Sequence, residues 1–277
     1  MPSPNQISVS QLSRLVGLPG VPVLVDICID DDFNADPRLI PTAFRHSFRD
    51  IAALVPKLGS QAVIVVCQKG LKLSQGAAAI LRDHGIAAKS LEGGIFAWRD
   101  AGQPLVPASK IPDCNDQGRT VWVTRQRPKI DRIACPWLVR RFIDRNAQFL
   151  FVDPSEVLNV ADKFEATPFD IEGVHWSHRG ELCTFDVMIE EFALQSEPMS
   201  RLATIVRAAD TNRHELAPQA AGLMAASLGL SKMYDDDLAQ LDAGMGLYDA
   251  FYRWSRDAVD EGHDWPAASV KEPGGVE

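Results

Sequence analysis

The first third of the 277-residue chain alternates short, continuous apolar runs with segments of helical spacing. Residues 22–29 and 61–67 are apolar runs typical of strands that are buried on both faces of a parallel sheet. A third, short strand is predicted at residues 88–91. Between the second and third strands, residues 74–84 have apolar positions at helical spacing, and Gly85 follows where a helix C-cap is expected. This alternation predicts an α/β domain with a central parallel sheet and flanking helices.

The pattern changes in the middle of the chain. Residues 102–118 are rich in proline and polar side chains and have no periodicity, which indicates a domain boundary. Beyond it, strands are predicted at 120–124 and 149–152, a helix at 131–143, and mainly helices from Thr184 to about Asp257. We therefore expect a mainly helical α+β second domain, and divide the chain into domains at 1–108 and 120–265, a linker at 109–119 and a tail at 266–277.

Composition and charge restrict the function classes. The chain is 46% hydrophobic and 23% charged, as in ordinary soluble globular proteins, and its longest apolar runs are too short to cross a bilayer. A net charge of −9 opposes non-specific binding to DNA or anionic membranes, and no basic helix-turn-helix pattern is present. The polar N-terminus does not resemble a signal peptide, so a cytoplasmic protein is predicted, with neither membrane nor nucleic acid as a partner. Five dispersed cysteines predict at least one free thiol.

One cysteine lies where chemistry is expected. Cys67 ends the second apolar run, and the loop after it leads into the helix predicted to start near Ser74. Backbone N–H groups and the positive end of a helix dipole favour an anion there, and nearby lysines lower a thiol pKa. The alternative is that Cys67 is a small core residue at a strand end. The pattern predicts Cys67 as the nucleophile and a loop that binds a small sulfur oxyanion through Gln68, Lys69, Gly70, Leu71 and Lys72.

These residues carry a resemblance to a known family. The loop from Cys67 to Lys72, followed by the segment Leu91-Glu92-Gly93-Gly94-Ile95-Phe96-Ala97-Trp98, resembles the rhodanese (thiosulfate sulfurtransferase) domain. The resemblance implies a persulfide on Cys67, a six-residue active loop, a thiol or other thiophilic acceptor, and no cofactor for sulfur transfer. Two features depart from the usual pattern: Ile27 and Cys28 follow Asp26 where an arginine is usual, and the loop cation is Lys72. Cys28 is either a buried structural cysteine or a relay thiol for Cys67.

Polar residues also interrupt apolar settings in the second half. Asp131 stands at the start of the predicted helix and fits an N-cap. His178, Glu181 and Asp210 offer an imidazole and two carboxylates, with Cys183 close by, and such ligands suit zinc, iron or manganese. Their spacing matches no recognised metal motif, so the alternative is that they are surface or hydrogen-bonded residues. A metal ion bound by His178, Glu181 and Asp210 is the cofactor hypothesis.

The second half resembles the C-terminal domain of the ChrB proteins of chromate resistance. The resemblance runs from about residue 120 to 256, and its residues include the segment 131–144, Ser177-His178-Arg179-Gly180 and Cys183-Thr184-Phe185-Asp186. It implies a context of chromate resistance or sensing, and brings no catalytic assignment with it.

Four functional hypotheses follow. The leading one is a sulfurtransferase fused to a chromate-response domain. The others are a non-catalytic chromate or oxyanion sensor, a chromate-inducible transcription regulator, which the acidic charge disfavours, and a metal-dependent redox protein. The helical faces at 225–230 and 247–254 are either core or the surface of a homodimer, and core is the simpler interpretation.

Overall fold

The N-terminal half is built on a parallel sheet, in a computed structural model that describes residues 3–262. Five strands run in the order β1-β6-β5-β2-β4, and all neighbouring pairs are parallel. Strands β3 and β7 form a separate antiparallel pair. The predicted parallel sheet is thus confirmed. Strands β1 to β7 span Gln6–Ile7, Val23–Asp26, Arg38–Leu39, Phe44–Arg45, Val63–Val66, Ala88–Leu91 and Val106–Pro107.

Helices cover both faces of this sheet, so the two central strands are buried along their whole length. Helix α4 turns Ala77, Ala78 and Leu81 into the apolar layer beneath the sheet. It begins two residues earlier than the sequence pattern predicts, and Gly85 follows its end with φ +80°. Helices α1 to α5 span Val9–Ser13, Asp30–Ala35, Val55–Leu58, Lys72–Asp83 and Gly94–Asp100.

The C-terminal half is a small parallel sheet packed by helices. Its strands run in the order β10-β8-β9, and β8 is the central one. The predicted helix at 131–143 is present as an α-helix that continues into a π-helix, Val139–Ile143. Strands β8 to β10 span Val121–Arg125, Gln148–Val152 and Thr167–Pro168, and helices α6 to α11 span Asp131–Leu138, Val157–Lys163, Thr184–Glu191, Glu197–Asp210, Ala220–Met233 and Asp237–Asp257. Within residues 3–262, no helix has the length and apolar character needed to cross a bilayer.

The two halves share one hydrophobic cluster. It includes Trp98 from the first half and Trp137 and Phe142 from the second. The backbone N–H of Thr42 donates to the carbonyl oxygen of Phe142 across this boundary (2.8 Å). The predicted linker, 109–119, is mostly exposed, and an antiparallel β-bridge joins Cys114 in it to Thr120. The predicted tail, 266–277, lies outside the described residues.

The two helical faces considered for a dimer differ in exposure. Along 225–230 only Ser227 is buried, and Leu228 is 47% exposed. Along 247–254 the chain supplies Tyr248 and Tyr252 to the core, and its other large apolar side chains pack half-buried against it. The second face therefore belongs to the core of the single chain, and a homodimer stays a prediction.

An ion-pair cluster ties the linker to helix α8. Glu191 lies 2.5 Å from the Lys110 ammonium and 2.6 Å from the Arg179 guanidinium. The bonds from Lys110 and then Arg179 lower the pKa of Glu191 from its ordinary 4.5 to about 2. Because the folded-state pKa is lowered, the stabilisation is complete above about pH 4.5 and is lost as the pH falls towards 2.

We therefore expect Glu191→Gln to lower the free energy of unfolding by about 1 kcal/mol at pH 7, the upper range for ion pairs with partly exposed partners. The difference from wild type should shrink below pH 4.5 and vanish only as the pH falls below about 2. Urea unfolding at a series of pH values measures it. The neighbouring, exposed Glu190 provides the control variant Glu190→Gln, and an equal loss in both variants would contradict the prediction.

Candidate functional site

Cys67 lies at the carboxyl edge of the N-terminal sheet, directly after the central strand β5. Its side chain is 5% exposed. The Sγ–H group donates to the Ser74 hydroxyl oxygen at 3.1 Å, and that hydroxyl donates to the carbonyl oxygen of Leu71 at 3.3 Å. Ligands of open α/β sheets bind at this edge, where loops follow the parallel strands. Cys67 is thus a largely covered thiol, oriented by a serine on helix α4, at the position where a ligand is expected.

The turn at Gly93 and Gly94 packs against the loop after Cys67 and fixes its backbone by hydrogen bonds. The N–H groups of Ile95 and Phe96 donate to the carbonyl oxygens of Cys67 and Gln68, both at 3.1 Å. Gly94 has φ +61°, and a Cβ atom there would overlap the Cys67 carbonyl oxygen. The two segments can approach this closely only because Gly94 carries no side chain.

This arrangement leaves donors of the loop free. Within residues 3–262, the backbone N–H groups of Gln68, Lys69, Gly70 and Leu71 have no hydrogen-bond acceptor. Helix α4 starts at the next residue, so unpaired N–H groups of its first turn adjoin them. Consecutive free N–H groups beside a helix N-terminus form an anion-binding concavity.

The side chains of the predicted loop residues are distributed around this concavity. Lys69, Leu71 and Lys72 are exposed, Gln68 is half-buried, and Gly70 is buried against the turn with φ +67°. Gln68 also lines a cavity of about 180 Å³. All five predicted residues are therefore in one loop next to Cys67, with two lysines facing solvent.

Cys28 occupies the same sheet edge but a different chemical setting. It follows strand β2 and lines the cavity that Gln68 also lines. Its N–H and Sγ–H groups donate to the Asp26 carboxylate at 2.9 and 3.6 Å. Burial raises the pKa of Asp26, and burial together with the Asp26 charge raises the pKa of Cys28 well above its ordinary value. A thiol with such a pKa is protonated at neutral pH, which disfavours Cys28 as a relay nucleophile.

A second cluster of polar side chains surrounds His178 in the C-terminal half. Its Nε2 atom lies 3.5 Å from a carboxylate oxygen of Asp131, 3.5 Å from one of Asp170 and 3.3 Å from one of Asp210. The side chain of His178 is 41% exposed, whereas those of Asp131 and Asp170 are buried. The structure thus brings together His178 and Asp210, two of the three predicted metal ligands.

The third predicted ligand, Glu181, is not part of this cluster. Its carboxylate is 84% exposed and lies 3.3 Å from the Arg213 guanidinium. Cys183 is also engaged elsewhere, since its Sγ–H donates to Asp186 at 3.2 Å. The segment after His178 reverses direction through Gly180, which turns Glu181 towards solvent.

Sequence reasoning did not identify Asp170, and it gave Asp131 another role. Asp131 was expected to cap its own helix, but Ile130 occupies the N-cap position of α6. The Asp131 carboxylate accepts instead from the N–H groups of Thr184 (2.6 Å) and Phe185 (3.3 Å), in the first turn of α8. Asp131 and Asp170 follow the parallel strands β8 and β10, so the sheet-edge rule offered the signal that was missed.

The charged groups of this cluster shift one another's pKa values. Burial raises the pKa of Asp131 to about 7, and the Asp170 and Asp210 charges act in the same direction. The contacts with Asp131, Asp170 and Asp210 raise the pKa of His178 to about 12. Burial opposes ionisation of Asp170, but its contacts with His178 and Thr184 outweigh burial and lower its pKa. Three acidic groups converging on one imidazole form a site that favours a positive charge.

Together, the parallel sheet, the cysteine loop and the double-glycine turn define a rhodanese-like domain. Residues 8–101 match the family model described as "Rhodanese-like domain", and residues 122–255 match the one described as "ChrB, C-terminal domain". The chain therefore joins a rhodanese-like domain to a ChrB C-terminal domain, as its motifs predicted.

Known proteins match parts of the chain. "Protein ChrB" of Cupriavidus metallidurans is 34% identical over 169 residues, which cover 56% of this chain and 50% of that protein, so the chain spans about half the length of this curated relative. Among solved structures, a thiosulfate sulfurtransferase from Pseudomonas aeruginosa is 26% identical, covers 38% of this chain and 19% of its own, and has a TM-score of 0.33. A rhodanese-like domain protein from Staphylococcus aureus is 26% identical, covers 34% and 90%, and has a TM-score of 0.30.

Proposed function

We propose that the chain is a sulfurtransferase that carries sulfane sulfur as a persulfide on Cys67. The observation that carries this proposal is the row of four free N–H groups, from Gln68 to Leu71, next to a thiol at the carboxyl edge of the sheet. Such donors stabilise an anion without reorganisation, because the turn at Gly93 and Gly94 already fixes the loop. The same donors serve the thiolate, the incoming oxyanion and the departing sulfite.

The proposed reaction has two displacements. The Cys67 thiolate attacks the sulfane sulfur of thiosulfate, the bond between the two donor sulfurs breaks with its electron pair, and sulfite leaves. The thiolate of an acceptor then attacks the outer sulfur of the persulfide, which regenerates the Cys67 thiolate and yields an acceptor persulfide. Both steps exchange one sulfur–sulfur bond for another, so neither needs an external oxidant or reductant, nor a cofactor.

Each loop residue has a role in this proposal. Lys69 and Lys72 add positive charge to the solvent-facing side of the loop. This local charge attracts an anionic sulfur donor despite the net charge of −9. Gln68, Gly70 and Leu71 act through their backbone N–H groups. Ser74 donates its hydroxyl to the thiolate once the Cys67 proton has left, since the two atoms are 3.1 Å apart.

The test is the intact mass of the protein after incubation with thiosulfate, with thiocyanate release from cyanide assayed in parallel. We expect wild type to gain the mass of one sulfur atom and to turn over, and Cys67→Ser to do neither. Cys28→Ser is the matched control, because it removes another buried thiol at the same sheet edge. It should keep the mass gain. No adduct and no turnover in wild type would contradict the proposal.

The match to the ChrB C-terminal domain supports a chromate-resistance context for this proposed activity. Chromate and thiosulfate are both tetrahedral dianions, so the free N–H groups of the Cys67 loop suit either one. If chromate binds wild type saturably while thiosulfate leaves no sulfur on Cys67, the protein is instead an oxyanion sensor.

A further inference from the structure

The cluster around His178 in the C-terminal half has the composition and spacing of a metal-binding site. We propose that Asp131, Asp170 and His178 bind a divalent transition-metal ion, with Asp210 beside them. One imidazole and two carboxylates suit manganese, iron or zinc. This proposal does not rest on sulfur transfer by Cys67.

The distances fit ligands arranged around one ion. One ligand atom from each of Asp131, Asp170 and His178 lies within 4.8 Å of the other two. The His178 Nε2 atom is 3.5 Å from an oxygen of each aspartate. Two ligands bound at about 2.1 Å in a tetrahedral arrangement lie about 3.4 Å apart. A small rearrangement at most would therefore let one ion contact all three side chains.

The proton of a charged His178 is the alternative occupant of this acidic site. A single Nε2–H group makes one well-aligned hydrogen bond, and charge-assisted bonds of this kind measure about 2.7–2.9 Å. The three carboxylate contacts of Nε2 are all longer, at 3.3–3.5 Å. The Nε2 atom is thus surrounded by three carboxylates, and a metal ion bound to it would take the place of the proton.

An unpartnered oxygen supplies an independent indication. Asp131 is 0% exposed, and its Oδ1 atom has no hydrogen-bond partner among the described residues. Its companion, Oδ2, accepts from the α8 backbone and faces His178. Buried carboxylate oxygens without a partner are costly, and a cation bound by both oxygens of Asp131 would satisfy this one.

The site is also reachable. A cavity of about 360 Å³ is lined by Asp170, His178 and Asp210 and also by Arg125, Lys129 and Arg132. Three protein ligands leave a coordination position open, as at metal sites that bind water or a substrate. Arg125 and Arg132 lie 3.2 and 3.3 Å from an oxygen of Asp170. Together with Lys129 they would favour a small anion at the open position.

The experiment uses the untagged full chain, treated with a chelator and then dialysed separately against Mn²⁺, Fe²⁺ under anaerobic conditions, and Zn²⁺. We expect about one bound ion per chain with at least one of the three. His178→Gln and Asp131→Asn should each lower the affinity at least tenfold, since even outer supports of a ligand cost about 10- to 100-fold. The control is Glu181→Gln, which removes an exposed carboxylate near His178 in sequence and should bind like wild type.

Three outcomes would overturn the proposal: wild type binds none of the ions, His178→Gln binds as wild type does, or Glu181→Gln loses as much affinity as His178→Gln. Far-UV circular dichroism verifies that each variant is folded. If Asp131→Asn does not fold, His178→Gln still decides, because its side chain is 41% exposed and its replacement disturbs little packing. The persulfide assay is read separately, so failure of one proposal leaves the other intact.

Discussion

Replacing Gly94 with alanine should abolish sulfur loading on Cys67 and lower the free energy of unfolding by about 3 kcal/mol. The new Cβ atom would overlap backbone atoms of the loop, the Cys67 carbonyl oxygen and the Gly70 nitrogen. Overpacking typically costs about 1–3 kcal/mol, and a left-handed backbone (φ +61°) adds about 1–2 kcal/mol for a residue with a side chain. Because backbone cannot move aside as a flexible side chain does, the loop must shift, and its row of N–H groups with it.

The comparison that isolates the loop effect is Gly85→Ala. Gly85 has φ +80°, yet a Cβ atom there would meet nothing within 4 Å. This variant carries the backbone strain without the overlap, so we expect about 1–2 kcal/mol of destabilisation and an unchanged persulfide mass gain. Urea unfolding and intact mass after thiosulfate treatment are the measurements. A Gly94→Ala protein that loads sulfur as wild type does would show that the turn does not shape the loop.

The features of the first domain that depend on local sequence were predictable. Apolar runs located β2 and β5 to within a few residues, because strands buried on both faces are mainly apolar. The cysteine loop was predictable as well, since all of its functional groups lie within six consecutive residues. The start of α4 was predicted two residues late, at Ser74, because Lys72 and Leu73 enter the helix without a capping side chain that would mark its start.

The second cluster could be predicted only in part, because its members come from distant segments. Asp131 and Asp170 are brought together by the parallel pairing of β8 with β10, whose register depends on the folded sheet rather than on any local pattern. Glu181 was chosen for its closeness to His178 in sequence. The turn at Gly180 separates the side chains of His178 and Glu181. Asp131, which lies 47 residues before His178 in the sequence, contributes a carboxylate to the cluster instead of Glu181.

Because the two halves share one hydrophobic core, we expect Gly17→Ala to destabilise the whole chain. Gly17 has φ +81°, and a Cβ atom there would come within 2.5 Å of the Phe142 ring and 2.9 Å of the Tyr252 ring. These rings are both largely buried and pack edge to face, 5.6 Å apart, so neither moves freely. Overpacking and backbone strain together predict a loss of about 2–4 kcal/mol in the free energy of unfolding.

The measurement is urea unfolding followed by tryptophan fluorescence and by far-UV circular dichroism. Wild type should unfold in one transition seen by both probes, and Gly17→Ala should shift that whole transition to lower urea. Gly102→Ala is the control, with φ +67° and nothing within 4 Å of the added atom, and should shift it by about half as much. Two separate transitions, with only one of them moved by Gly17→Ala, would mean that the halves fold independently. A single shared transition would mean that the rhodanese-like domain takes part of its stability from the helices of the second half. A destabilising substitution in either half would then lower the free energy of unfolding of both.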